Sequence, residues 1–371
     1  MKIVDAQVHI WSQTVVPTSG LRRKVSKFTV EELLSEMDDA GVDAALIHPP
    51  LGWDPDANAI AVEAARNYPD RFSVMGQFRL DQQENRKLIG GWRNQPGMMG
   101  LRWPLLLAEH QKWLHEGSLD WLWPAAEEEG LPIAMMGGLF LAKFREIAER
   151  HPHLKMIVDH CGLNRHGQDA EAFIYLDELI ALVRLPNVAV KATGAPHYST
   201  QGYPFRNIQD GLHRIFDAFG PKRFFWGTDI TRMPCSYRAC VTFFTEELPW
   251  LKDEDLEDVM SRGLCEWIGW NYKFDEVRAG RSIICPLFAL ARPAIKGLSK
   301  ARGLGVVLGA EPAVGLGHRG VTRASPQMID ADIAGHARAH GELGLDAAVR
   351  RHGEVLGKQR RADFLVSVGP A

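Results

Sequence analysis

Short, almost continuously apolar segments recur along the chain and alternate with segments of helical spacing. Strands buried on both faces have this apolar character, and such strands belong to parallel sheets that are covered by helices. The pattern predicts eight strands, at residues 2–9, 42–48, 72–79, 98–103, 132–137, 155–160, 187–193 and 223–229.

The segments between the strands carry helix signals. Thr29 precedes a run of helical periodicity, with Glu32 in the capping-box position and Gly41 near the end. Further helices are predicted at residues 140–150, 170–183, 207–219 and 254–267. Eight strands alternating with helices over about 270 residues predict an α/β fold, the (β/α)8 or TIM barrel. A doubly wound sheet is the competing architecture, but no Gly-x-Gly-x-x-Gly follows the first strand to support a dinucleotide-binding version.

The composition changes after about residue 273. All 11 tryptophans lie before this point, and Phe288 and Phe364 are the only Phe, Tyr or Trp residues beyond position 275. The remainder is rich in Gly, Ala and Arg, so it offers little apolar surface to offset the entropy of ordering a separate core. The sequence therefore predicts a barrel over residues 1–275 and a tail over residues 276–371 that is disordered or loosely helical.

The overall composition narrows the function classes. A formal net charge of -3 gives no electrostatic reason to expect nucleic acid or an acidic membrane as a partner. Asp5 lies where a signal peptide would need apolar residues, and no apolar run approaches the ~18 residues of a membrane span. The five scattered cysteines favour reduced thiols and a cytoplasmic location. The expected partner is a small-molecule substrate, and the oligomeric state stays open, a homo-oligomer included.

Polar and ionisable residues end most of the predicted strands, where a TIM barrel builds its active site. Gln7 and His9 point the same way because side chains alternate along a strand. The other strand-end residues are His48, Arg102, His160, Lys191 and Asp229. For one such residue alone a structural role is the commoner explanation, such as an internal salt bridge for Arg102. Several of them at one barrel mouth indicate an active site.

Three of these strand ends resemble motifs of the amidohydrolase-related family, the amidohydrolase 2 type of TIM-barrel hydrolase. They are Asp5-x-Gln7-x-His9 with Trp11, Val158-Asp-His160-x-Gly162, and Trp226-Gly-Thr-Asp229. The resemblance runs in order over residues 1 to about 275. It implies hydrolysis of small carbonyl compounds, including lactones such as pyrone dicarboxylates, and a place in the catabolism of aromatic compounds. The same resemblance also covers decarboxylases and hydratases.

The metal ligands of that family are incomplete in this chain. Members usually carry His-x-His on the first strand, where this chain has Gln7, and metal-binding relatives commonly have a histidine on the fifth, where it has Met136. His9, His160 and Asp229 remain, enough for one zinc or manganese ion and too few for a binuclear centre. The sequence therefore favours an enzyme without a metal cofactor, as in the metal-independent lactonases of the family.

The expected mechanism uses Asp229 as the general base that takes a proton from water. His160 and His9 are predicted to polarise the substrate carbonyl. The predicted substrate-binding residues are Gln7, His48, Arg102, Lys191, Arg165 and Trp53, among which Arg102 suits bidentate capture of a carboxylate. The predicted reaction is hydrolysis of a small lactone, ester or amide that bears a carboxylate.

Three alternatives stay open. The first is a metal-dependent decarboxylase or hydratase of an aromatic or unsaturated acid on the same fold. The second is a barrel without catalysis that binds a small acid. The third and least favoured is a protein–protein scaffold, since the ionisable residues concentrate at strand ends rather than around an exposed apolar patch.

Overall fold

Eight parallel strands in sequential order form the centre of the computed structural model, which describes residues 1–12, 25–52 and 54–274. The strands are β1 Val4–Val8, β2 Ala44–Ile47, β3 Phe72–Gly76, β4 Met98–Trp103, β5 Ile133–Met136, β6 Met156–Asp159, β7 Val188–Thr193 and β8 Phe224–Gly227. Each strand pairs in parallel with the next one along the chain. The predicted TIM barrel is confirmed, and the doubly wound alternative is wrong because the strand order has no reversal.

Helices occupy the connections between the strands. The α-helices of the described part are α1 Val30–Ala40, α2 Ala57–Asn67, α3 Ala108–His115, α4 Leu122–Glu128, α5 Leu141–Arg150, α6 Leu176–Ile180, α7 Gln209–Phe219, α8 Tyr237–Glu246, α9 Asp253–Glu257 and α10 Gly263–Ile268. A π-helical turn, Asp258–Arg262, joins the last two, so the predicted closing helix is helical throughout. Helix α1 has the predicted capping box between Thr29 and Glu32, and it ends at Gly41 in the left-handed conformation.

The single helix predicted over residues 170–183 is wrong. A 3₁₀ turn at Asp169–Phe173 precedes α6, and a second one at Ala181–Arg184 follows it. Asp169 fixes the first turn from outside, since its carboxylate accepts hydrogen bonds from the backbone and hydroxyl of Thr200 and from Asn207. These contacts come from the loop after β7, which lies too far along the chain for a local pattern to predict.

The first and last strands meet through a buried carboxylate. The Asp5 side chain accepts hydrogen bonds from the Thr228 N–H at 2.9 Å, the Thr228 hydroxyl at 2.5 Å and the Tyr237 hydroxyl at 2.6 Å. A Cβ on Gly227 would lie 2.9 Å from the Ala6 nitrogen, so only glycine allows this approach. The N–H of Asp229 then donates to the Gln7 carbonyl at 2.8 Å. The seam therefore places the residues that follow β8 directly beside β1.

The apolar core has two parts. An inner cluster fills the barrel, and it includes Ala6, Leu46, Met75, Ile157 and Phe225. A larger cluster lies between the strands and the helices. Among the described helices, none is both long and apolar enough to cross a membrane. The predicted tail, residues 276–371, lies outside the described residues.

Candidate active site

Asp229 lies between two histidines at the carboxyl end of the barrel. It follows β8 with a left-handed φ of 52°, and its side chain is fully buried. Its Oδ1 lies 3.4 Å from His9 Nε2, and its Oδ2 lies 3.9 Å from His160 Nε2. The three residues predicted to carry the chemistry therefore share one small site, although they follow the first, sixth and eighth strands.

Backbone carbonyl groups orient both histidine rings. His9 Nδ1 lies 2.5 Å from the carbonyl oxygen of His48, and His160 Nδ1 lies 3.0 Å from that of Thr193. A carbonyl oxygen only accepts, so Nδ1 of each ring carries the hydrogen, and Nε2 of each ring lies on the side of Asp229. Burial, reinforced by the nearby Arg232, lowers the pKa of His160 to about 3, so this ring is neutral near pH 7.

Lys191 connects a buried carboxylate to the site. Its Nζ lies 2.7 Å from Asp159 Oδ1 and donates to Gln7 Oε1 at 3.0 Å. Because Lys191 holds the amide oxygen, the amide nitrogen of Gln7 faces His160 Nε2 at 3.5 Å. The Gln7 N–H thus points at the acceptor atom of the ring, and the chain from Asp159 to Gln7 reinforces the tautomer that Thr193 sets.

Arg102 forms the internal salt bridge that the sequence leaves open as its alternative role. Its Nε donates to Asp159 Oδ2 at 2.9 Å. Burial alone would raise the pKa of Asp159, but Lys191 and Arg102 together hold it well below its usual range. Asp159 is therefore ionised between two cations, and the terminal nitrogens of Arg102 are not committed to this contact.

The other predicted site residues have different positions. His48 is fully buried, with Nε2 3.1 Å from the Ala6 carbonyl oxygen and 3.3 Å from Lys191 Nζ. Burial and the charge of Lys191 lower the pKa of His48 well below its usual range, so it is neutral. Arg165 is half-buried in the turn after β6. Trp53 lies outside the described residues.

Asp159, Thr193 and Arg232 belong to the site but were not predicted. Charge balance offers a signal for Asp159, because the cations predicted at the ends of β4 and β7 need an anion inside the barrel. Arg232 ends the 3₁₀ turn Ile230–Arg232, three residues after Asp229, and its side chain lies over the ring of Tyr198. The only sequence signal for Arg232 is its position as a basic residue in the loop after the last strand.

One family model matches most of the chain. The family model described as Amidohydrolase matches residues 4–263, which is more than half of the chain. The chain belongs to the amidohydrolase family. The matched range contains all eight strands and each of the site residues described above. None of the curated proteins matches the sequence.

Solved amidohydrolase structures share the fold. An amidohydrolase from Burkholderia multivorans, seen with bound HEPES and with bound zinc, has a TM-score of 0.62 at 17% identity, covering 72% of this chain and 99% of its own. A protein from Acinetobacter baumannii described as a 2-pyrone-4,6-dicarboxylic acid hydrolase, with citric acid bound, has a TM-score of 0.55 at 15% identity, covering 73% and 100%. One of the same description from Pseudomonas putida has a TM-score of 0.54 at 18% identity, covering 73% and 99%.

The residues present do not fit the metal ion that the amidohydrolase family implies. Among the described residues, no three His, Cys, Asp or Glu side chains are grouped to hold an ion. The Gln7 oxygen accepts a hydrogen bond from Lys191, and Met136 ends the fifth strand. The surrounding charges also oppose a divalent cation, because three buried cations already face two buried carboxylates: Arg102, Lys191 and Arg232 against Asp159 and Asp229.

Proposed function

We propose that this amidohydrolase hydrolyses a small lactone, ester or amide that bears a carboxylate, with Asp229 as the general base. The observation that carries the proposal is the buried Asp229 carboxylate beside Nε2 of His9, at 3.4 Å, and Nε2 of His160, at 3.9 Å. These three groups are hydrogen-bond acceptors when the rings are neutral. A water molecule bound here would donate its two hydrogens to two of these acceptors and present an oxygen lone pair to a carbonyl carbon.

The tautomers divide the work among the three residues. Asp229 takes the proton from water as the bond to the carbonyl carbon forms. The sequence predicts that both histidines polarise the carbonyl, but His160, neutral and hydrogen-bonded through Nδ1, has only an acceptor at Nε2. We therefore assign His160 to orienting the water, in place of its 3.5 Å contact with the Gln7 amide, whose N–H groups turn to the substrate. His9 Nε2 lies 3.4 Å from Asp229 Oδ1. His9 is therefore placed to take the abstracted proton from Asp229 and pass it to the leaving oxygen or nitrogen.

Donors for the carbonyl oxygen come from the other side of the site. The amide nitrogen of Gln7 and the terminal nitrogens of Arg102 carry N–H groups, and the ammonium group of Lys191 adds positive charge behind Gln7. Fixed donors and charges of this kind stabilise the negative charge that develops on the oxygen, an effect worth several kcal/mol in a dry site. The same positive charge suits a substrate that carries a carboxylate.

A hydrolysis screen tests the proposal. Lactones, esters and amides with and without carboxylates are incubated with the protein, beginning with 2-pyrone-4,6-dicarboxylate because two structural neighbours bear that name. We expect turnover of a carboxylated compound, and a loss of at least ~100-fold in kcat for Asp229→Asn, which keeps shape but removes the base. The matched control is Asp217→Asn, the same change on the exposed face of α7, which should leave kcat unchanged.

Two results would contradict the proposal. Full activity of Asp229→Asn would place the base elsewhere, with His160 or His48 as the next candidates. Release of carbon dioxide or addition of water to a double bond, with no hydrolysis, would favour the decarboxylase or hydratase alternative.

A further inference from the structure

Arg232 is a buried cation that no carboxylate neutralises within the part of the chain that the structure describes. Its side chain is 7% exposed. One terminal nitrogen donates to the Tyr198 hydroxyl at 3.3 Å, and Cζ lies 5.3 Å from the centre of the Tyr198 ring. Its Nε has no hydrogen-bond partner among the described residues. Most of the N–H groups of this guanidinium are therefore available to a ligand.

The contacts with Tyr198 do not offset the cost of burying Arg232. Burial of an unpaired charge costs more than a cation–π contact with a single tyrosine ring returns. A neutral hydroxyl adds one hydrogen bond and no opposite charge. A buried guanidinium in this state is suited to an anion that arrives with a ligand, because the anion supplies both the opposite charge and the missing acceptors.

The turn after β8 directs Arg232 to the barrel mouth. The N–H of Arg232 donates to the Asp229 carbonyl at 2.8 Å, which fixes the spacing between the two residues. Tyr198 ends the turn Ala195–Tyr198 after β7, and a Cβ on Gly194 would lie 3.5 Å from His160 Nδ1 and 3.6 Å from Met233 Cε. The residues around Arg232 therefore pack against the same short segment as His160.

Arg232 and Arg102 differ in what they already bind. Arg102 donates from Nε to Asp159, so its charge is already paired with a carboxylate inside the barrel. We propose that Arg232, held over Tyr198, is the residue that binds the substrate carboxylate, through two parallel N–H···O bonds. This inference rests on the proposed function and deepens it, because it places the carboxylate on the side of the mouth formed by the turns after β7 and β8. Water activated by Asp229, three residues away, then attacks a carbonyl on the same small molecule.

Binding of a carboxylate that cannot be hydrolysed tests the inference. Isophthalate and its neutral analogue isophthalamide are titrated into the wild type and into Arg232→Gln and Arg232→Lys by calorimetry. Loss of a charge-assisted contact should raise the Kd for isophthalate at least ~10-fold in Arg232→Gln. Arg232→Lys keeps the charge but not the planar fork, so its Kd should lie between the two. Isophthalamide binding should not depend on residue 232.

The control is Arg214→Gln, which removes the same charge from an exposed ion pair on α7 and should leave the Kd unchanged. If Arg232→Gln fails to fold, Arg232→Lys and Tyr198→Phe give the same test. Tyr198→Phe removes the hydroxyl that orients Arg232, and the Kd for isophthalate should rise in both variants. Equal Kd values in wild type and all folded variants, or no saturable isophthalate binding by the wild type, overturn the inference. Hydrolysis does not enter this measurement, so its outcome is independent of the hydrolysis screen.

Discussion

Asp159 is the residue on which the two innermost cations of the site depend. Its carboxylate oxygens lie 2.7 Å from Lys191 Nζ and 2.9 Å from Arg102 Nε, and both Asp159 and Lys191 are fully buried. Burial lowers the pKa of Lys191, and the charge of Asp159 opposes this. The hydrogen bond from Lys191 to Gln7, and through it the orientation of Gln7 towards His160, therefore requires Asp159.

We predict that Asp159→Asn strongly destabilises the protein. The change leaves Lys191 and Arg102 without their anion, and breaking a buried ion pair in this way costs about 3–5 kcal/mol in the free energy of unfolding. Adding Lys191→Met should recover a large part, because one uncompensated charge is removed. Chemical denaturation gives these values, and Asp177→Asn, in an exposed ion pair with Arg214, is the matched control with an expected loss below ~1 kcal/mol. A loss of that small size for Asp159→Asn would contradict the ion-pair role.

The residues of the site also predict that the enzyme works without a metal ion. Gln7 and Met136 replace two of the usual ligands, and Lys191 lies 3.0 Å from the oxygen of Gln7. Using Asp229 as a ligand would also lower its basicity. We expect protein stripped with a strong chelator to keep its activity, and purified protein to hold well under one metal ion per chain by elemental analysis. Stoichiometric metal, with activity lost on stripping and restored by zinc or manganese, would contradict the assignment, since metal-bound water would then be the nucleophile.

On the scale of the elements, the buried side chain of Asp5 joins β1 to the residues that follow β8. Asp5 accepts hydrogen bonds from Thr228 and Tyr237, and its carboxylate is completely buried. Burial raises the pKa of Asp5 to about 6 from the ordinary 3.8, against the opposing effect of these hydrogen bonds. In the folded protein the Asp5 carboxyl group therefore changes between its protonated and ionised forms near pH 6.

The raised pKa predicts a pH dependence of stability. Below about pH 3 Asp5 is protonated in both the folded and the unfolded state, and its contribution to folding is fully present. As the pH rises to about 7, the unfolded state loses the proton first, and the contribution is lost, by at most about 3 kcal/mol for a shift of this size. We expect the free energy of unfolding of the wild type, minus that of Asp5→Asn, to fall by up to this amount between those pH values. A difference that does not change with pH would contradict it.

On the scale of the whole molecule, the barrel is complete before the predicted tail begins. All eight strands and α10 lie within the described residues. Leu264, Ile268 and Trp270 belong to the same inner cluster as Val4 and Phe225, so α10 and the residues after it contribute to the core of the barrel. Residues up to 274 therefore contain all eight strands and both apolar clusters of the described part of the chain.

We predict that a chain ending after residue 276 folds and melts cooperatively, as measured by circular dichroism, and keeps the activity of the full chain. A chain ending after residue 262 is the control. It lacks α10 and so loses the buried side chains of Leu264 and Ile268, each worth about 1.5–3 kcal/mol. We expect this shorter chain to be unfolded. An unfolded chain of 276 residues would mean that the tail covers apolar surface of the barrel.

Local patterns in the chain were enough to predict the eight strands, the cap of α1 and the positions of His9, His160 and Asp229. Burial on both faces makes the strands continuously apolar, capping residues lie three positions apart, and the carboxyl ends of parallel strands meet at one mouth. Each of these signals spans a few neighbouring residues. They can be recognised without any knowledge of the distant parts of the chain.

Contacts between distant residues decided the rest. Which ring nitrogen of His160 carries hydrogen depends on Thr193, 33 residues away, and the seam joins Asp5 to Thr228 across 223 residues. Arg232 has its environment because Tyr198 follows a different strand. These properties depend on side-chain orientation and on the charges that folding buries together. Only the tertiary structure sets them, because no short segment contains both partners.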